Sequence, residues 1–178
     1  MKILATLSLI VFFMAPAAGI QLRFWPPSQL IDLSESGSLS VMLDDVIDLR
    51  TVELWVSYND LILQSSGGGP GGLFEDTGCM TWWDLEDMDP GSWHGFAVIL
   101  DAYCWATGPG ELFHWDFVGL AEGYSRIQVD NIRLFDENGD LIEGVTLADT
   151  FVFVGGDITS VPSEDTQSRN WGILKSLY

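Results

Sequence analysis

Residues 38–46, "SLSVMLDDV", alternate Leu39, Val41 and Leu43 with Ser40, Met42 and Asp44, the period-two pattern of a strand buried on one face. "TVELWVSYN" (51–59) repeats the pattern, with Val52, Leu54, Val56 and Tyr58 on one side. Glu53, Trp55, Ser57 and Asn59 fall on the other side, which should meet water. Trp55 is out of place there, because a large ring is costly to leave in solvent. In "ELFHWDFVG" the apolar set Phe113, Trp115 and Phe117 opposes His114 and Asp116. "HGFAVILDAYCW" gives a strand with Phe96, Val98 and Leu100 on one face. "SRIQVDNIRLFDENGDLI" is expected to form a strand, a hairpin turn at Asp136 to Asp140 and a second strand, and "DTFVFVGG" the last one.

Between these segments the chain breaks in expected places. Pro26-Pro27 interrupts a short apolar entry strand, and "SSGGGPGG" stops "DLILQ" with a run predicted to be a flexible loop. "LFEDTGCMTWWDLEDMDPGSW" mixes turns with Trp82, Trp83 and Trp93. No stretch before residue 160 carries a helical stripe longer than two turns. About nine short strands with Gly, Pro and Asp turns predict an all-β chain, an antiparallel, jelly-roll-like β-sandwich. Faces that are polar on one side and apolar on the other need a second layer to close against.

The ends are expected to lie outside that domain. Residues 1–18 have a positive start at Lys2, an apolar run from Ile3 to Met14 and small residues at Ala15, Ala17 and Ala18, the form of a secretory signal peptide cut near Ala17 or Ala18. The apolar run breaks at Pro16 after about 14 residues, short of the ~20 a membrane anchor needs. No later segment is apolar enough to span, so none is expected after cleavage. The sandwich is assigned to 20–158. Residues 159–178 form a polar linker ending in the apolar "WGILKSLY".

Composition narrows the partners. The formal charge is −19, from 26 acidic against 7 basic residues, and loss of Lys2 with the signal would make it one more negative. Such a surface repels nucleic acid and anionic lipid at long range. It favours basic or calcium-bearing partners, or serves only solubility outside the cell. Since 47% of residues are hydrophobic and the acids are dispersed among apolar runs, the chain is no acidic disordered segment. Cys79 and Cys104 are the two cysteines, and in an exported chain a pair of this kind is expected to be bonded. Closing that loop stabilises a fold by roughly 3 kcal/mol on the chain-entropy model. His94 and His114 would have to complete any zinc site, and their spacing from the cysteines has no finger pattern.

Catalytic signatures are missing. There is no nucleophile elbow, no HExxH and no phosphate-gripping glycine loop, since "SSGGGPGG" lacks the following Lys-Ser/Thr. The acid pairs Glu111 with Asp116 and Glu86 with Asp101 are cheap picks among so many carboxylates. "DENGDLIE" places glycine fourth rather than sixth as a calcium-binding EF-hand loop requires, and Asn138-Gly139 suits a hairpin turn. No cofactor, metal or catalytic residue is expected, and the chain is read as no enzyme. The positive clue is aromatic. Of eight tryptophans, Trp115 fits an inward face, Trp55 an outward one, and Trp82, Trp83, Trp93 and Trp105 lie in or beside loops. Exposed rings stack on sugars or anchor protein partners, and rings enclosed near the cysteines would only pack.

Taken together, "SLSVMLDDVIDLRTVELWVSYNDLIL", then "GGLFEDTG", then "GELFHWDFVGLAEGYSRIQVDNIRLFDENGDLI" resemble in order and spacing the cohesin-type domain, over about residues 38–154. That resemblance implies a sandwich without catalysis. It also implies a sheet face that binds calcium-containing dockerin domains, the calcium belonging to the dockerin. The strand bearing Trp55 matches part of the sheet such domains present. The fold is similar to carbohydrate-binding modules as well, which implies polysaccharide binding as the alternative. The cysteine pair and the tryptophan-rich insert between residues 79 and 105 depart from the common pattern. The expected function is therefore an extracellular or cell-surface recognition module for a protein, possibly dockerin-like, or for polysaccharide. Trp55, Trp82, Trp83, Trp93 and Trp105 are its candidate binding residues.

Overall fold

The computed structural model describes residues 19–155; the expected signal peptide and the 159–178 tail lie outside them. Among the described residues the chain forms eleven strands and one helical turn. These are β1 (Gln21–Trp25), β2 (Ser28–Ile31), β3 (Ser36–Asp44), β4 (Leu49–Ser57), β5 (Leu63–Pro70), α1 (Gly72–Glu75) and β6 (Thr81–Asp89), followed by β7 (Ser92–Ile99), β8 (Gly110–Gly119), β9 (Gly123–Asp136), β10 (Thr146–Leu147) and β11 (Thr150–Val154). They make two facing sheets, in the orders β10-β1-β3-β8-β5 and β2-β11-β9-β4-β7-β6. No helix among the described residues is long and apolar enough to cross a membrane.

The alternation seen in the sequence sets which side of each strand is enclosed. Leu39, Val41 and Leu43 of β3, Val52, Leu54 and Val56 of β4, and Phe113, Trp115 and Phe117 of β8 are all fully buried. Trp115 is central to this core. Its ring meets Phe117 at 4.8 Å and Tyr58 at 4.9 Å, and its Nε1 donates to Ser65 Oγ at 3.1 Å. Tyr58 lies just past β4, half-buried, and burial raises its phenol above the ordinary value.

Several expectations need correction. Both sheets are mixed rather than antiparallel throughout, because β1 runs parallel to β10 and β2 parallel to β11. The entry strand is two strands: at Pro26-Pro27 the chain leaves one sheet and joins the other, where prolines interrupt the ladder without loss.

The glycine run is no loop. It is β5, paired with β8 from Leu63↔Gly119 to Pro70↔Phe113, with a bulge at Ser65/Gly67 where Gly67 takes φ +126. A Cβ on Gly68 would strike the His114 carbonyl oxygen and lie 2.7 Å from the Leu85 side chain of β6. Glycine is thus needed where the edges of the two sheets close on each other. The "TWWDLEDMD" segment, expected among turns, is the edge strand β6 paired to β7. Acidic residues on an edge strand discourage pairing with further strands.

The turn at Asp136 forms as expected. Asp136 Oδ1 accepts from the N–H groups of Asp140 (2.9 Å) and Asn138 (2.8 Å), and these bonds lower its pKa, that from Asp140 most. Past the turn the chain returns through a single bridge, Phe135↔Leu141, rather than a full partner strand.

Candidate partner-docking face

The outward side of β9-β4-β7-β6 is the surface on which Trp55 lies. Register aligns Asn131, Trp55, His94 and Glu86 across the four strands, then Arg133, Glu53, Phe96 and Asp84, then Phe135, Thr51, Val98 and Trp82. Side chains in register on one face stand as neighbours, and diagonal ones lie one row further. Val98 and Trp82 are in register, Phe96 shares the Val98 side of β7, and Trp55 is diagonal to Phe96. The four thus make an apolar strip running obliquely across β4, β7 and β6. Trp82 and Phe96 are 5.3 Å apart between ring centroids.

Trp55 is half-buried because it is held on two sides. The His94 ring lies 4.6 Å away, tilted by 30°, and the Arg133 guanidinium carbon sits 5.4 Å from the indole centroid. Arg133 also donates to Glu53 at 3.4 Å. The outward ring is therefore fixed by its cross-strand neighbours while its remaining surface faces out.

β7 has the opposite phase to the one its apolar pattern predicts. Its enclosed set is Trp93, Gly95, Ala97 and Ile99, so Phe96 and Val98 belong to the outward strip and Leu100 lies exposed past the strand end. Trp93 is accordingly a correction: it is fully buried, 6.1 Å from Trp115, and offers no surface to a ligand. The strand phase that turns Gly95 and Ala97 inward carries Trp93 with them.

The other candidates are exposed: Trp82 at 51%, Trp83 at 40% and Trp105 at 38%. Trp82 pairs with Val98 and faces outward, whereas Trp83 pairs with the core-facing Ala97 and projects from the opposite side of the edge strand. Adjacent strand residues point apart, so these two rings do not make the row that a flat sugar chain would stack on. Trp105 follows Cys104 in the loop between β7 and β8. Cys79 and Cys104 are bonded, tying the segment after α1 to that loop. Beside the bond, Asp101 Oδ2 accepts the Met80 N–H at 2.7 Å, so Asp101 serves the loop rather than an acid pair with Glu86.

Sequence reasoning missed Trp25, 59% exposed on β1 of the other sheet. Inward Leu22 and Phe24 would have given its phase away. It also missed a second outward aromatic group, where Tyr124 stands 6.5 Å from Phe151 and 6.4 Å from Phe153.

No protein-family model and no curated protein sequence matches the chain. Solved structures do. A non-cellulosomal cohesin from the hyperthermophilic archaeon Archaeoglobus fulgidus superposes with a TM-score of 0.65 at 14% identity, over 80% of this chain and 96% of that one. The chain has the cohesin fold. CaCohA2 of Clostridium acetobutylicum gives 0.64 at 17% identity, over 79% and 94%. The sixth cohesin of Acetivibrio cellulolyticus scaffoldin B, in complex with a mutant Cel5 dockerin, gives 0.65 at 13%, over 77% and 99%. The likeness is one of fold, and it spans nearly the whole of those domains.

His94 Nε2 is buried and has no hydrogen-bond partner among the described residues. An unsatisfied buried polar atom costs about 1–3 kcal/mol. His94→Phe keeps a ring against Trp55 and removes that atom, so chemical denaturation should show a gain of about 1 kcal/mol.

Proposed function

We propose that this chain is an exported, non-catalytic recognition module, and that the outward face of β9-β4-β7-β6 docks a protein partner of the dockerin kind. The observation that carries the reading is the apolar strip itself. Trp55, Phe96, Val98 and Trp82 come from three adjacent strands and lie on one rigid face, where a partner gains burial without ordering a loop. Support comes from the similar structures. The scaffoldin B cohesin is bound to a dockerin, as are the OlpA and OlpC cohesins of Clostridium thermocellum. The Cys79–Cys104 bond fits an oxidising compartment and hence export.

The test immobilises the chain and passes over it a panel of dockerin modules, with calcium and with chelator. At least one module should be retained only with calcium. Trp55→Ala should weaken that retention by about 30-fold, the loss expected of a central aromatic anchor worth some 2 kcal/mol. A module held equally well by Trp55→Ala would refute the assignment of the face. Retention on cellulose or xylan that is lost in Trp82→Ala or Trp83→Ala, with no module bound, would replace protein by glycan as the ligand.

A further inference from the structure

The apolar strip is bordered unequally. On the β9 side stands Arg133, whose charge is answered by Glu53 and whose guanidinium carbon lies over the Trp55 ring. On the β6 side stand Asp84 and Glu86, in register with Phe96 and His94, and neither has a cationic partner among the described residues. No cation of the described fold is left to supply one. Arg23 pairs with Asp44 at 2.8 Å, Arg126 pairs with Asp149, and Arg50 donates to the carbonyls of Ile99 and Asp101.

From this we infer that the partner of this face is a protein surface carrying Lys or Arg beside an apolar centre, placed to meet Asp84 and Glu86 as the centre covers Phe96 and Trp82. The inference rests on the docking reading and adds the chemistry of the partner. Covering the strip removes water from both carboxylates. A neutral or acidic partner leaves them desolvated and unanswered, a penalty that offsets much of the apolar gain. A basic partner compensates them and is drawn to the face from a distance by the chain's −19 charge. A second copy meets the opposite condition, because each face carries Glu53, Asp84 and Glu86 against Arg133 alone and two such faces repel by their net negative charge.

The experiment uses the full chain, labelled with ¹⁵N, and two synthetic amphipathic helical peptides. Both share one Leu/Ile stripe; Lys flanks it in the first and Glu in the second. The Lys peptide should shift the indole N–H signals of Trp55 and Trp82 and the amides of Asp84, Glu86 and Phe96. Its affinity should fall about five-fold or more as salt rises from about 0.05 to about 0.3 M. The double variant Asp84→Asn, Glu86→Gln should bind it about ten-fold more weakly, with unchanged unfolding. The Glu peptide should leave the face undisturbed. Equal shifts from both peptides, without salt dependence, would overturn the charge requirement and leave the docking face standing. No shift at Trp55 or Trp82 from either would overturn both. Shifts of the same signals with protein concentration alone would make a second copy the occupant and overturn the inference too.

Discussion

Trp115→Ala should cost about 4 kcal/mol or more, within the range for removing a fully enclosed tryptophan. That is a large share of the stability of a domain this size, so the variant should be partly unfolded at room temperature. Three things add up at this position. The ring is fully enclosed between the sheets, it contacts Tyr58, Phe117 and Trp93, and its N–H bond to Ser65 crosses from β8 to β5. Losing that bond also leaves Ser65 to find another partner beside the bulge that fixes the register of β5. The comparison variant is Trp25→Ala. Trp25 is 59% exposed on the outer side of β1, and its truncation should change stability by about 0.5 kcal/mol or less. Urea titrations of the two variants decide the matter. Equal midpoints would mean that Trp115 does not stand between the sheets.

The contrast between these two tryptophans also shows what the sequence could reveal. Strands β3, β4 and β8 were legible because one side of each is apolar and the other polar, which gives a clean period of two. β7 was not, since Phe96 and Val98 form part of an apolar outer surface while Gly95 and Ala97 occupy the core side. Periodicity then points to the wrong face, and Trp93, expected in or beside a loop, stands near the start of β7 on its core side. The glycines of β5 signal a loop to any propensity argument, because their purpose is the close approach of Gly68 to β8 and β6. β6 hides its strand among acids that an edge tolerates. The parallel pairings of β10 and β2 involve partners distant in sequence, for which no local signal exists. At the candidate site, the outward phase of Trp55 was readable from β4 alone. Its neighbours His94 and Arg133, and the placing of Phe96 and Trp82 on the same face, were not, because cross-strand register decides who meets whom.

That dependence on register makes the Cys79–Cys104 bond matter for more than stability. Reduction, or Cys79→Ser with Cys104→Ser, should cost about 3 kcal/mol, the chain-entropy value for a loop of this length; the cysteines are 25 positions apart. The loss should be unevenly distributed over the face. The bond sits next to the Leu100 N–H to Met80 carbonyl contact, where β6 begins, and Trp82 is two residues along. Among the described residues β6 pairs only with β7, so freeing its start releases the outer end of the strip. Trp55 lies on β4 between β7 and β9 and keeps both neighbours. Thermal unfolding in reductant should therefore shift down while the folded state persists at room temperature. In that state the Trp82 indole signal should broaden and the Trp55 signal should stay sharp. Partner affinity should fall by less than Trp55→Ala lowers it, because the central anchor keeps its support from His94 and Arg133. An unfolding midpoint unmoved by reductant would remove the bond from the stabilising framework, and equal broadening of both indoles would show that the strip loosens as one body.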